Sequence, residues 1–309
     1  MAASKFDETL KIWMNGKMVN WNDATVHIAV HALHYGSSVF EGIRCYKTPD
    51  GSIIFGLKQH IRRLFDSAKI YRMEPTWTRE DIEKACIQVC RDNNLDACYL
   101  RPLLYRGYYS LGVFPDACPI DAVVMPLRWG KYLGAEALEK GIEVCVSSWT
   151  RIAPNTLPAL AKAGANYMNS QLIKIDAMAL GFDEGIALDK NGFVSEGSGE
   201  NIFLVRDGIL WTPPLCGSIL PGITRQALLT LARELNIPTI IEVIPREMLY
   251  IADEVFFTGT AAELTPIRSV DKVTVGSGKP GPITLRLQEA LFDLIEGRRP
   301  DPHGLRVHV

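Results

Sequence analysis

The sequence predicts an α+β protein of two domains, on three observations. Strand-like runs are paired across short turn signals, helical patterns stand between the pairs, and a glycine- and charge-rich stretch at 129–140 separates an N-terminal group of elements from a C-terminal one. The 309 residues suffice for two domains and a large core. A small domain is placed at 1–130 and a larger one at 142–309, with 131–141 as the connection.

In the first domain, Ile12-Trp13-Met14 and Lys17-Met18-Val19 flank Asn15-Gly16, a two-residue turn signal, so 11–20 reads as a hairpin. Residues 38–46 (SVFEGIRCY) alternate like one strand, and Pro49-Asp50-Gly51 turns the chain back through 52–55. The spacing of Leu57, Ile61, Leu64, Phe65, Ala68 and Ile70 predicts a helix over 57–73, with Arg62 and Arg63 off the apolar stripe. One of these arginines is a candidate phosphate ligand, because a guanidinium is shaped for bidentate binding. Thr78 caps a second helix running to about 93, with Glu80 and Asp81 in its first turn. Strands follow at 99–105 and 121–127. Tyr99 and Arg101, two apart on a strand, share a face and are candidates to address a carboxylate together.

Past the connection, 142–147 begins the second set of strands, and 167–180 reads as a helix ended by Gly181. Turns at 189–192 and 206–208 close two hairpins. Leu220-Pro221-Gly222-Ile223-Thr224-Arg225 opens a helix to about Glu234, whose first N–H groups and hydroxyl make a candidate phosphate site. Residues 256–263 read as a strand entering a small-residue turn that offers N–H groups and the Thr260 hydroxyl to anionic oxygens. The last helix is placed at 282–296. GSGKPG (276–281) matches G-x-G-x-x-G, but its proline and the later helix start exclude a dinucleotide-binding reading.

Composition excludes several functions. A net charge of −2 gives no field suited to nucleic acid or an anionic membrane. The N-terminus has no apolar signal core, and no window approaches the roughly 18 apolar residues of a membrane span, so a cytoplasmic protein is expected. The seven cysteines contain no C-x-x-C pair and no zinc spacing, and Cys86 and Cys90 read as two buried thiols on one helix face. His27, His31 and His34 have no carboxylate at ligand spacing, and no metal is expected there.

The chemistry centres on Lys162, set among Ala161, Ala163, Gly164 and Ala165, neighbours small enough to admit something flat. A lysine forms imines with carbonyls, and apolar surroundings lower its pKa toward the neutral, nucleophilic amine. Such a lysine is the anchor used by pyridoxal phosphate. Glu196, in VSEGSGEN (194–201), is read as lying in a glycine-flexible turn where a planar ring can approach; a carboxylate there keeps a pyridine nitrogen protonated.

Eight pieces in order then support a family: HALHYGSSVFEGIRCY (31–46), HIRRLFDSAKI (60–70), YLRP (99–102), WGKYLGAEAL (129–138), APNTLPALAKAGANY (153–167), SEGSGENIF (195–203), LPGITR (220–225) and GTAAELTP (259–266). Over about 10–297 the chain resembles the branched-chain amino acid aminotransferases of the fold-type-IV pyridoxal-phosphate enzymes. The resemblance implies a small N-terminal α/β domain, a larger C-terminal domain with a mixed β-barrel-like core, and the cofactor between them. It implies that Lys162 anchors pyridoxal 5'-phosphate and later carries the α-proton, that Tyr167 bonds the phenolic oxygen and that Glu196 pairs with the ring nitrogen. Arg63, the backbone at Ile223 and Thr224, and Thr260 would hold the phosphate. The substrate carboxylate would meet the Thr260 and Ala261 N–H groups and the Tyr99/Arg101 face, with Tyr35 supplied by a neighbouring subunit. Phe40, Gly42, Trp129 and Tyr132 would line an apolar pocket for valine, leucine or isoleucine. The implied reaction passes the amine to the cofactor and then to 2-oxoglutarate, giving a branched 2-keto acid and L-glutamate. A homodimer is the implied minimal unit, with a homohexamer as the larger assembly. The chain departs from the family at Tyr109, where glycine is common, in a loop expected near the partner's pocket.

Two relatives of the same fold are weighed against this. D-amino acid aminotransferases carry an R-x-H pair where this chain has Ser110-Leu111-Gly112, and (R)-amine transaminases stand with them as the nearest rivals. An aminodeoxychorismate lyase uses the same lysine without a second keto acid, and the YLRP and GTAAE pieces argue against it. A non-enzymatic scaffold would have lost cofactor contacts, whereas Lys162, Tyr167, Glu196, Arg63 and Thr224 are all present.

Overall fold

A computed structural model describes residues 6–115, 117–129 and 136–309. Its contacts gather into two units: Met1–Trp129 with Ala161–Ala165 and Ile295–Val309, and Gly130–Leu160 with Asn166–Leu294. Lys162 therefore groups with the N-terminal elements, although it follows them in sequence by more than thirty positions.

The strands of the first unit are β1 (Lys11–Met14), β2 (Lys17–Asn20), β3 (Ser38–Phe40), β4 (Ile43–Thr48), β5 (Gly51–Phe55), β6 (Cys98–Arg106) and β7 (Ile120–Leu127). With the C-terminal strand Arg306–His308 they form an antiparallel sheet, ordered C-terminal strand, β5, β4, β6, β7, β1, β2, with β3 also on β6. Asn15 and Gly16 take φ values of 46° and 87°, as a tight hairpin between β1 and β2 requires. Helices α1 (His31–Tyr35), α2 (Leu57–Ile70) and α3 (Arg79–Asp92) complete the unit. Thr78 and Asp81 form a reciprocal capping box at the start of α3. Ile61 and Leu64 of α2, Ile82 and Val89 of α3, and Ile43, Ile54 and Leu100 of the sheet share one core, each exposed by 1% or less. Burial of each such side chain stabilises the fold by about 1.5–3 kcal/mol.

Two expectations for this unit change. The run 38–46 is not one strand but β3 and β4, interrupted at Glu41-Gly42. Both strands keep one register on β6, Phe40 opposite Leu103 and Ile43 opposite Leu100. Glu41 N–H donates to the Pro102 carbonyl at 2.8 Å, but Pro102 has no N–H to return, so the ladder breaks there. The helix predicted over 57–73 ends at Ile70, because Arg72 turns into the left-handed region at φ 54°. The stripe argument also fails for Arg63, which is 8% exposed while Arg62 is exposed.

The second unit carries β8 (Ile142–Val146), β9 (Glu184–Leu188), β10 (Val194–Gly197), β11 (Asn201–Arg206), β12 (Ile209–Thr212), β13 (Thr239–Ile241), β14 (Glu254–Gly259), β15 (Glu263–Val270) and β16 (Val273–Thr274). Its helices are α4 (Ala137–Lys140), α5 (Tyr167–Ala179), α6 (Ile223–Glu234), α7 (Met248–Ile251) and α8 (Pro282–Glu296), the last reaching into residues grouped with the first unit. The sheet is ordered β10-β9-β8-β15-β14-β11-β12-β13, with β16 on β15. It is mixed: β8 pairs in parallel with β9 and β15, as does β12 with β13. β10 and β11 stand well apart in this order, yet a tight turn joins them, closed by Gly197 N–H donating to the Glu200 carbonyl at 2.7 Å. The sheet must curl to bring them together, which gives the barrel-like core that the resemblance implies. α5 lies against β9 and α6 against β14. Among the described residues no helix is long and apolar enough to cross a membrane.

Glu196 proves to lie on a strand. Ala187 of β9 is its register partner, and a bulge between Val194 and Glu196 displaces it from regular pairing. Gly197 serves close approach there, since a Cβ would stand 2.7 Å from Glu200 Oε2 and 3.0 Å from the Phe257 ring.

Candidate active site

In the first unit the backbone of Lys162 is fixed on both sides. Its N–H donates to Ser67 Oγ on α2 at 3.0 Å, and its carbonyl accepts from Phe40 N–H on β3 at 2.9 Å, beside a bridge between Val39 and Ala163. Gly164 is required by this docking, because a Cβ would meet Ser38 Oγ at 2.5 Å. The half-buried Lys162 side chain puts its Nζ 5.0 Å from the Phe40 ring centre.

Arg63 points inward from α2 because it has a fixed counter-charge. Its Nε and Nη2 donate to the two oxygens of Glu41 at 2.7 and 2.8 Å, and His60 Nδ1 donates to the same carboxylate at 2.7 Å. Burial alone would raise the pKa of Glu41, which is 0% exposed; Arg63 and then His60 outweigh it and hold the carboxyl well below its usual range. Burial lowers the pKa of His60 below its ordinary value, against the pull of Glu41. The break in the 38–46 strand thus places Glu41 where it orients Arg63.

Tyr99 and Arg101 do share a face of β6. The Arg101 guanidinium lies 4.8 Å from the Phe40 ring centre and 5.5 Å from that of Tyr99, and Trp129 packs edge-on against Tyr99 at 4.9 Å. Arg101 Nε is buried without a hydrogen-bond partner, a donor that suits an anionic ligand. Gly42 has to be glycine, because a Cβ there would sit 1.6 Å from the Tyr99 hydroxyl. Tyr35 ends α1 and is 44% exposed. Tyr132 lies outside the described residues.

The histidines of 27–34 are engaged locally. His31 Nε2 donates to the Gly112 carbonyl at 2.9 Å, its Nδ1 pairs with Ser37 Oγ at 2.7 Å, and His34 Nε2 donates to the Ile28 carbonyl at 2.9 Å.

In the second unit the buried carboxylate of Glu196 is held by Arg151 Nη2 at 2.6 Å, by Asn201 Nδ2 at 3.0 Å and by Leu220 N–H at 3.0 Å. Asn201 also donates to the Leu220 carbonyl at 2.9 Å, tying Glu196 to the segment that opens α6. Gly222 is the N-cap of α6 with no side-chain cap, and a Cβ there would stand 2.0 Å from Asn201 Oδ1. Ile223 and Thr224 follow as the first helical residues, Thr224 buried, so their N–H groups belong to the positive end of a twelve-residue helix. Thr260 and Ala261 occupy the half-buried turn between β14 and β15, and Tyr167 begins α5, also half-buried. Behind Glu196, Glu200 is pushed up to about 8 by burial and then by the Glu184 carboxylate, itself paired with Lys174 at 2.9 Å.

Glu41, His60, Ser67, Arg151 and Asn201 are absent from the sequence-derived site. Glu41 sits inside a quoted segment, and its signal is a charged residue at an otherwise apolar strand position. Arg151 lies far from Glu196 in sequence, and nothing local marks it.

Fold and residues together are those of an aminotransferase. The profile of amino-transferase class IV matches residues 38–270, and the chain belongs to that family. Among its relatives, the branched-chain-amino-acid aminotransferase of Escherichia coli (strain K12) is 53% identical over 294 residues, 95% of either chain. A crystal structure of the Escherichia coli branched-chain amino acid aminotransferase superposes with a TM-score of 0.95 at 52% identity, covering 96% of this chain and 98% of that one. The branched-chain amino acid aminotransferase from Thermobaculum terrenum, in its PLP-bound holo form, gives a TM-score of 0.90 at 34% identity, covering 97% of this chain and 98% of that one.

Proposed function

We propose that this enzyme catalyses the reversible, pyridoxal-phosphate-dependent transfer of the amino group between L-leucine, L-isoleucine or L-valine and 2-oxoglutarate. The products are the branched 2-keto acids and L-glutamate. The observation that carries the substrate reading is Arg101, a guanidinium set against the Phe40 and Tyr99 rings with an unpartnered buried Nε. Aromatic walls suit an apolar side chain, and a donor beside them suits the side-chain carboxylate of glutamate in the other half of the reaction.

The residues fit the cofactor. A fixed lysine, a buried carboxylate clamped by an arginine, a helix start capped by glycine and a buried arginine match its carbonyl, its ring nitrogen and its phosphate. When bound, pyridoxal 5'-phosphate supplies an electron sink for the substrate α-carbon. Lys162 would hold it covalently, and the lysine amine would serve to carry the α-proton. Glu196 would pair with the ring nitrogen and keep it protonated, with Arg151 and Asn201 keeping Glu196 in place. Tyr167 bonds the phenolic oxygen. Arg63, the N–H groups of Ile223 and Thr224, and Thr260 take the phosphate. The Thr260 and Ala261 N–H groups and the Tyr99/Arg101 face receive the substrate carboxylate, and Phe40, Gly42, Trp129 and Tyr132 surround the side chain. Tyr35 completes the pocket of a second copy, so the working unit is a homodimer or a hexamer built from such dimers. The enzyme is assigned to the cytoplasm, with 131–141 as its interdomain connection.

The test is a single half-reaction followed by absorbance on cofactor-loaded protein, with L-leucine, D-alanine and (R)-1-phenylethylamine added separately. Rapid conversion to the aminated cofactor by L-leucine alone is expected. A response chiefly to D-alanine or to the amine would overturn the carboxylate assignment to Tyr99, Arg101 and Ala261.

A further inference from the structure

Three thiols that amino transfer does not use converge inside the first unit. Cys45 on β4 and Cys98 on β6 are register partners on adjacent antiparallel strands, and Cys90 reaches them from the last turn of α3. Their sulfur atoms all lie within 4.8 Å of one another, with Cys90 and Cys98 3.8 Å apart. Cys45 and Cys90 are 1% exposed and Cys98 is 5% exposed. Cys86, one turn earlier on α3, is equally buried but stands outside the trio. The three come from sequence positions 45, 90 and 98, a spacing that matches no zinc motif.

Three thiolates around one ion at a metal–sulfur distance of about 2.3 Å place their sulfurs roughly 4 Å apart. The trio is therefore close to coordination geometry without rearrangement of the strands or of α3. Sulfur donors select soft ions over magnesium or calcium. Charge narrows the choice further, because uncompensated thiolates are costly in an apolar core. Three thiolates keep a net charge of −1 around a divalent ion and −2 around a monovalent one, so the divalent ion is favoured. Cys45 Sγ donates to the Asp96 carbonyl at 3.7 Å, which puts one oxygen at the edge of the cluster.

The geometry points to a buried three-thiolate site, formed by Cys45, Cys90 and Cys98, for a soft divalent d10 ion of the zinc class. Binding forms three metal–sulfur bonds and releases the thiol protons to solvent, with no change in oxidation state. The ion would staple α3 to β4 and β6 and stabilise the first unit; Cys98 precedes Tyr99 on β6, so its side chain lies on the face of that strand opposite to Tyr99 and Arg101. Entry requires local opening, because every ligand is buried, so uptake is slow compared with binding to a surface thiol.

The test uses reduced, cofactor-loaded enzyme, stripped of metal with chelator, incubated with Cd2+ and desalted. Cd2+ is a softer congener of zinc whose thiolate bonds are visible in the ultraviolet. One Cd2+ retained per chain is expected, with a three-thiolate charge-transfer band and a raised unfolding temperature, and Cd2+ should displace Zn2+ loaded first. Cys45→Ala and Cys90→Ala should lose ion, band and stabilisation, while Cys216→Ser, which removes an exposed thiol, should keep all three. Cofactor absorbance and turnover should be unchanged in each variant. If an alanine variant fails to bind cofactor and so to fold, Cys98→Ser takes its place and should show the same loss. No retained Cd2+ in the wild type, retention undiminished in the cluster variants, or loss in Cys216→Ser would each overturn the site.

Discussion

Glu41→Gln tests whether the orientation of Arg63 rests on a buried charge. Glu41 is 0% exposed and receives three N–H donors: Arg63 Nε on one oxygen, Arg63 Nη2 and His60 Nδ1 on the other. Glutamine offers one acceptor oxygen and one NH2 group. Whichever way the amide turns, its NH2 faces at least one of those donors, and the guanidinium keeps its charge without a counter-charge. An orphaned buried donor costs about 1–3 kcal/mol, and removing one partner of a buried ion pair typically costs about 3–5 kcal/mol in all. With a urea dependence of about 3 kcal/mol per molar, the unfolding midpoint should fall by about 1–1.7 M. Replacing both partners, Glu41→Gln with Arg63→Met, should recover most of the stability, because no charge is then left buried. The double variant should still bind pyridoxal phosphate more weakly than wild type. Equilibrium urea unfolding of the three proteins is the assay. A Glu41→Gln variant within about 0.5 kcal/mol of wild type would refute the reasoning, since that is the size of an unremarkable surface change.

Gly42→Ala should force Tyr99 out of place, because the new Cβ would stand 1.6 Å from its hydroxyl. Steady-state kinetics should show kcat/KM for L-leucine falling at least about tenfold, equivalent to about 1.4 kcal/mol of lost transition-state stabilisation, with the cofactor spectrum unchanged. Glu200 carries a raised folded pKa of about 8 against 4.5 unfolded, so between those values the folded state holds a proton that the unfolded chain has lost. Stability of the wild type should therefore decline as pH rises from about 4.5 to 8 and level off above, and Glu200→Gln should remove this component, about 1.4 kcal/mol per pH unit. Unfolding curves at pH 5, 6.5 and 8 check it, and parallel pH profiles for the two proteins would contradict it.

Much of the fold was legible because its signals are local. Asn15-Gly16 dictates a hairpin by its backbone preferences, Thr78 and Asp81 cap a helix by reach alone, and the start of α6 is written in Pro221-Gly222. The break at Glu41-Gly42 was also encoded, but in another strand: it depends on Pro102 lying opposite, which no window around residue 41 contains. Arg63 shows the same limit for the site. Helical spacing assigns it to a solvated face, and only the convergence of Glu41 and His60 makes its burial tolerable. Arg151 and Asn201 escaped notice for that reason, since their importance lies wholly in the carboxylate that the fold brings to them. Lys162, Thr224 and Thr260 were candidates from their local surroundings, small neighbours for the lysine and a helix start or tight turn for the threonines, while Tyr167 and the role of each came only with the family resemblance.

The central claim is that Lys162 anchors the cofactor, and borohydride reduction of the loaded enzyme followed by peptide mass mapping tests it most directly. Reduction turns an imine into a stable secondary amine and so marks the lysine that formed it. One phosphopyridoxyl group per chain, on the peptide containing Lys162, is the predicted result, and Lys162→Ala should carry none. A label on Lys174 or another lysine, or no label at all, would contradict the account.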